Sequence, residues 1–203
     1  MIQAMPGSVK TEGSWEARKS RKTGTKRRKG KAEVKRMEWG DLYTRDRQST
    51  GERHIRGETM PPERYHLVVH VWIRNGRGEW LISQRSATCQ LHPLKWECAG
   101  GSVIAGEDSL TAALREAEEE VGVQLDPENG IFLGSVLREN GQSLLDEWIF
   151  RFDGEPDLAA ASTDEVAQSR WMTPEEIRAL IDAGEFSPSR SYFFDDPMLG
   201  GNA

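Results

Sequence analysis

The stretch "GSVIAGEDSLTAALREAEEEVGV", Gly101 to Val123, decides how this chain of 203 residues is read. Asp108 or Ser109 is a helix cap, the body runs from about Leu110 to Val121, and Gly122 is the stop, where glycine takes the left-handed conformation. Four glutamates fall within five positions, Glu116, Glu118, Glu119 and Glu120. Like charges at helical spacing repel by roughly 0.2–0.5 kcal/mol per exposed pair. On a wheel with Glu116 at zero, Glu119 lies at about −60° and Glu120 at about +40°, while Glu118 points to the far side. Leu110, Ala113, Leu114, Ala117 and Val121 occupy the adjoining arc, so three carboxylates border the face that packs on the core. Two carboxylates about 5 Å apart repel by roughly 3 kcal/mol at an effective dielectric of 20. A hard divalent cation removes that penalty, and carboxylate oxygens suit Mg²⁺ or Mn²⁺. The plain alternative at this point is a solvated Glu-rich helix.

Composition narrows the class. The formal net charge is −6, but residues 1–36 hold 12 Lys/Arg against 3 Asp/Glu, leaving 15 basic and 30 acidic residues for the rest. That acidic remainder argues against nucleic-acid binding over a broad surface. Residues 1–36 have little apolar content and read as a disordered basic extension, with Met37 as an alternative start. Such an arm is the chain's one route to nucleic acid. The two cysteines, Cys89 and Cys98, fit a reducing compartment, and no apolar run reaches membrane-spanning length. A cytoplasmic location is the resulting expectation.

Strand patterns surround the helix. Asp41 to Glu58 reads as two short strands about a Ser-Thr-Gly turn, and Tyr65 to Arg85 as a hairpin turning at Asn75-Gly76. Leu67 to Ile73 is apolar on both faces except at His70, which predicts a central strand covered on both sides. His66 and His70 share a face with Val68 and read as hydrogen-bonded strand histidines. "IFLGSVLREN", "EWIFRFDG" and "VAQSRWM" are three more strands; in the second, Trp148, Phe150 and Phe152 share a face. "TPEEIRALIDAG" is a helix with Thr173 as cap, Pro174 at its first position and Glu176 closing a capping box. Strands, helix, strands, helix give an α+β domain, a mixed sheet between helices.

The flanks of the acidic helix shift that balance. Gly101, five residues, Glu107, seven residues, then Arg115-Glu116-Ala117-Glu118-Glu119-Glu120-Val121-Gly122-Val123 fills every fixed position of a 23-residue pattern. The chain thereby resembles the Nudix hydrolases. Together with "GERHIRGE" and "YHLVVHVWIRNGRGEWLISQRS", it is similar to the branch that looks like isopentenyl-diphosphate isomerase. The resemblance covers roughly residues 39–186. It implies the Nudix fold, a mixed β-sheet in an α/β/α sandwich, over residues 37–186, with 187–203 a C-terminal tail whose "YFF" packs on the domain or a partner. It also implies a Mg²⁺-dependent pyrophosphatase, cleaving the diphosphate linkage of a nucleoside diphosphate or related organic diphosphate, in a family where homodimers are common.

Roles carried over by the resemblance are these. Glu116, Glu119 and Glu120 hold the metal, with Gly101 offering its carbonyl. Arg115 orients a motif carboxylate, Glu107 supports the loop, and Gly122 completes the motif. Glu116, Arg115, Glu119 and Glu147 form the catalytic set. The base is a motif carboxylate or one of Asp146, Glu147 and Glu165. Arg85 is the candidate for a substrate phosphate, against a structural salt bridge, and Trp96 the candidate pocket wall. Two rivals stand beside this reading. One is an isopentenyl-diphosphate isomerase, whose catalytic Cys and metal-binding His positions fall here on Gly100 and Ser102, with Cys98 close by. The other is a non-catalytic nucleotide sensor, although no motif glutamate is missing.

Overall fold

The computed structural model describes residues 38–194. The basic stretch 1–36 and the end of the tail lie outside the described residues. In chain order come β1 (Trp39–Tyr43), β2 (Ser49–Ile55), β3 (Tyr65–Arg74), β4 (Trp80–Arg85), the short β5 (Trp96–Glu97), α1 (Ser109–Val121), β6 (Gly130–Arg138), β7 (Ser143–Arg151), β8 (Val166–Met172) and α2 (Pro174–Asp182).

Strand β3 organises the sheet. It runs parallel to β7 from His66 opposite Ser143 to Arg74 opposite Arg151, and β6 adds antiparallel to the far edge of β7. The other edge of β3 is divided. β1 pairs with its start, Leu42 opposite His66, whereas β4 meets only its last residue, Arg74 opposite Trp80. Between them the Gly-rich loop docks on the strand. The N–H groups of Val69 and Val71 donate to the carbonyls of Gly101 and Ala99, and Val103 N–H donates to Leu67 O, each at 2.9 Å. The backbone groups of this buried strand must be paired, and here a loop instead of a strand pairs them. β4 diverges to join β5 and β8.

Both faces of β3 are covered, as its apolar run implies. On one, Leu67, Val69, Val71 and Ile73 meet Ala112, Ala113, Ala117 and Val121 of α1. Three alanines let the helix lie close to the sheet, and burying Val121 contributes about 1.5–3 kcal/mol. Asp108 caps the helix, its Oδ1 accepting Thr111 N–H at 2.8 Å, a contribution of about 1 kcal/mol. Gly122 ends it at φ 67°, donating its N–H to Ala117 and Glu118 carbonyls. A Cβ there would lie 1.9 Å from Asp157 O. On the opposite face Trp72, Trp80, Ile82 and Trp96 pack with Met172, Ile177 of α2, Phe186, Phe193 and Phe194. The expected capping box of α2, Thr173 with Glu176, is present.

Three boundaries differ from the sequence reading. The first turn lies at Thr44–Gln48, where Arg47 adopts φ 61° and its guanidinium grips Asp146; Ser49-Thr50-Gly51 begins β2 instead. A contact to a residue 99 positions away fixes this turn. The second hairpin is a five-residue loop in which Asn75 Oδ1 accepts N–H bonds from Arg77 (2.9 Å) and Glu79 (3.0 Å), and the positive φ falls on Gly78, not Gly76. Lastly, a domain end at 186 falls short. Ser187, Arg190, Phe193 and Phe194 are buried, and the Phe193 ring stacks on Trp72 with centroids 3.8 Å apart. Truncating Phe193 to Ala should therefore cost about 3–5 kcal/mol, read as a fall in the urea midpoint at unchanged slope. A midpoint shift of a surface substitution, under about 0.5 kcal/mol, would show that the segment is not part of the core.

Candidate active site

Helix α1 carries its acids where the wheel places them. Glu116 and Glu120 are buried, Glu119 is half-exposed and Glu118 faces solvent. Arg115 ties the cluster together. Its Nε donates to Glu107 Oε1 at 3.0 Å, its Nη1 to Glu116 Oε1 at 2.8 Å and Glu119 Oε2 at 2.9 Å, and its Nη2 to Ser102 O at 3.1 Å. One guanidinium thus joins both ends of the motif, the loop and the helix. Burial works against the Arg115 charge, but the Glu107 hydrogen bond and the Glu116 charge outweigh it and raise its pKa above the usual arginine value.

The two buried carboxylates are raised as well, which for them favours the neutral form. Burial raises Glu116, with the Arg115 charge and hydrogen bond pulling it back. Burial, with the Glu116 charge adding to it, pushes Glu120 up to about 8. Glu120 Oε2 accepts Gly100 N–H at 3.0 Å. Hard oxygen donors held out of water against their own repulsion fit a divalent cation, whose charge favours their ionised forms. Among the described residues, no three acidic, imidazole or thiol groups close on one point as a preformed cage.

The Gly-rich loop differs from expectation in one respect. Gly101 O accepts the Val69 N–H, so the carbonyl expected to face an ion is engaged by the sheet. Gly101 contributes by lacking a side chain: a Cβ there would lie 2.5 Å from Glu116 Oε1. Gly100 is the residue that meets Glu120. It adopts φ 144°, and a Cβ would lie 2.2 Å from Val69 O. No cysteine fits at that position. The neighbouring Cys98 is fully buried and its thiol is pushed far up by burial, which leaves the isomerase rival without a reactive sulfur here.

Glu147, from β7, is buried beside this loop. It accepts the Tyr192 hydroxyl hydrogen bond and lies 3.5 Å from His70 Nδ1. Burial, reinforced by the Arg190 and Arg138 charges, holds His70 well below its ordinary value, so the imidazole is neutral and this contact is not an ion pair. Burial raises Glu147 as well, partly countered by Tyr192. Asp146 is fully buried and held by both terminal nitrogens of Arg47, and Glu165 stays on the surface 3.9 Å from Arg85.

The two expected substrate contacts are structural. Arg85 donates to Glu97 at 2.7 Å and to Leu91 O at 2.8 Å. Trp96 is a core residue with the Arg170 guanidinium 5.2 Å from its ring. The reason is the tail. Arg190 reaches in, pairs with Glu97, and donates to Cys98 O at 2.9 Å and Gly100 O at 3.3 Å. Glu97 is thereby flanked by two arginines, and the back of the loop is fixed by a residue some 90 positions away. Nothing in "SPSRSYFF" signals that role; an arginine among aromatics in a terminal stretch has no period to read.

Comparison with known proteins supplies the context. A NUDIX domain is matched over residues 64–194, more than half of the chain. A Nudix hydrolase of Listeria monocytogenes, itself uncharacterized, is 39% identical over 159 residues, covering 78% of this chain and 91% of its own. The uncharacterized Nudix hydrolase YfcD of Escherichia coli is 30% identical over 161 residues, covering 74% and 81%. Among solved structures, DR0079 from Deinococcus radiodurans superposes with a TM-score of 0.60 at 28% identity, covering 74% of this chain and 92% of that one.

The raised Glu120 carboxyl has a consequence for stability. Its folded pKa of about 8 exceeds the ordinary 4.5, so between those values the folded state binds more protons than the unfolded one. Stability in chelator should fall as pH rises from about 5 to 8. Glu120→Gln should flatten that slope, measured by thermal unfolding across pH. An equal slope in wild type and variant would contradict the assignment.

Proposed function

Because the chain belongs to the Nudix hydrolase family, we propose that it is a divalent-cation-dependent hydrolase that cleaves the diphosphate linkage of a nucleoside diphosphate or related organic diphosphate. One observation carries this reading: Glu116 and Glu120 are held out of water side by side, with Glu119 at the mouth and Arg115 bound to two of the three. A surface without a cationic ligand gains nothing from that arrangement.

Glu116, Glu119 and Glu120 are the residues that would hold Mg²⁺, or Mn²⁺ in its place. Bound there, the ion supplies charge neutralisation of the diphosphate and a more acidic water. The chain's own groups do the rest. Arg115 orients Glu116 and Glu119 through hydrogen bonds to both, and Glu107 and Ser102 O keep Arg115 itself in place. Gly100 N–H fixes the rotamer of Glu120. Glu119, with 43% of its side chain exposed, is the motif carboxylate that water reaches, and it takes the proton of the attacking water. Asp146 has both oxygens engaged by Arg47, so it is not the base. Glu147 is engaged by the Tyr192 hydroxyl and lies beside His70, so Glu119 is preferred to it as the base.

Hydrolysis of a nucleoside diphosphate panel with Mg²⁺, followed as phosphate or nucleotide release, tests the proposal. Glu119→Gln should lower kcat by about 10²–10⁴-fold, and EDTA should abolish turnover until Mg²⁺ is restored. Wild-type rates for that variant, or in EDTA, would sink the reading. Arg115→Lys should lower Mg²⁺ affinity or activity by about 10–100-fold, because an ammonium cannot reach Glu107, Glu116 and Glu119 together. A titration of rate against Mg²⁺ reads this directly.

A further inference from the structure

The matched domain begins at residue 64, yet an ordered hairpin, β1–β2, precedes it. That hairpin is not a passive edge. Together with the loop that follows it, it frames a cavity of about 220 Å³ with Trp39, His54, Arg56 and Met60 on one side and His66 and the segment Ser102–Ile104 on the other. The partition between cavity and acidic cluster is the Gly-rich loop itself. Gly101 lies against the Glu116 carboxylate, and Ser102, next in sequence, lines the cavity while its carbonyl accepts Arg115. Arg56 on the cavity wall and Glu116 in the cluster each feel the other's charge, so the two spaces adjoin across this loop.

Size and chemistry limit what enters. Pockets for drug-sized ligands run about 300–1,000 Å³, so this one accommodates one ring system and not a whole nucleotide. Its apolar surfaces are Met60, Val103, Ile104 and the indole of Trp39, which is 44% exposed, an unusual state for a tryptophan in a strand. Its polar and charged groups are Glu38, His54, Arg56, Glu58, His66 and Ser102. Arg56 is paired with Glu38 at 2.7 Å. Burial, with neighbouring His54 and Arg56 adding to it, holds His66 below its ordinary value. His54 Nε2 has only Glu58 O, at 3.2 Å. A purely hydrocarbon group would bury these polar edges unpaired, and a second anionic group would meet Glu38.

We propose that this cavity holds the organic group of the substrate, a single uncharged heteroaromatic ring stacked on Trp39 with its polar edge toward His66 and Ser102. This rests on the hydrolase reading of the neighbouring glutamates and adds the residues that select the substrate.

Calorimetric binding to the full wild-type chain with Mg²⁺ tests it without turnover, using three non-equivalent probes. Adenosine 5′-(α,β-methylene)diphosphate carries the ring, methylenediphosphonate lacks it, and geranyl diphosphate replaces it with a hydrocarbon chain. The ring-bearing probe should bind at least about tenfold more tightly than the other two. Trp39→Ala should remove that advantage, a loss of about 5- to 150-fold, and Trp39→Phe should restore most of it. Equal affinity for the ring-bearing and ringless probes, tighter binding of the geranyl probe, no binding of the adenosine probe, or indifference to Trp39→Ala would each overturn the proposal. Trp39 is partly exposed, so folding of its variants is checked by the urea midpoint, and His66→Ala, read on the same probes, supplies a second substitution at the ring's polar edge. Mg²⁺-dependent hydrolysis is scored separately, so the pocket can fail while the hydrolase reading stands, and the reverse.

Discussion

Two carboxylates, Glu116 and Glu120, are carried out of water by the helix that packs on the central strand, and the surrounding structure is arranged around that fact. Charges in such a place are costly unless they are paired and hydrogen-bonded. Arg115 meets the cost from the front, bonding Glu116 and Glu119 while Glu107 and Ser102 O hold it. From behind, Arg190 fixes the loop whose Gly100 N–H reaches Glu120. Neither arginine neutralises Glu120 fully, and its carboxyl remains raised. The cluster is only partly compensated, and it is on this remaining deficit of positive charge that the proposed cation site rests.

The central strand makes this arrangement precise enough to be useful. β3 is held by β7 along its length on one edge, but on the other it accepts a glycine-rich loop through three backbone hydrogen bonds. A loop anchored in this way is as well positioned as a strand, and it has no strand's alternation of side chains to accommodate. Gly100 and Gly101 are required there by close approach, one to Val69 O and the other to Glu116. The same loop then separates the acidic cluster from the cavity framed by the first hairpin. The proposed chemistry and the proposed selection thus fall on the two sides of one short segment, and the cavity side is built largely from residues ahead of the matched domain.

Much of the fold was legible because its signals are local. The cap at Asp108, the stop at Gly122, the capping box at Thr173 and the doubly apolar run of β3 each depend on neighbours within a few residues. Expectations failed where distant contacts decide. The first turn sits at Arg47 because Asp146 binds it, and the second hairpin opens because the loop at 99–103 takes the edge that β4 would have used. Arg85 and Trp96 had the residue types of substrate contacts. Glu97 claims the first and the aromatic core the second, and neither partner is visible from spacing alone.

The sequence by itself determined the acidic arc of α1, its glycine boundaries and the motif that joins Gly101 to Val123, since helical periodicity fixes which side chains share a face. It also determined the two-sided burial of the strand on which that helix lies. Only the tertiary structure decided what compensates the arc and what stands beside it. Arg190 comes from a terminal stretch with no readable pattern, Gly100 rather than Gly101 presents the backbone donor, and the cavity walls come from Trp39, His54 and Met60 on one side and Ser102 on the other. These groups meet through packing and hydrogen bonds between segments tens of residues apart, and no local periodicity encodes such meetings.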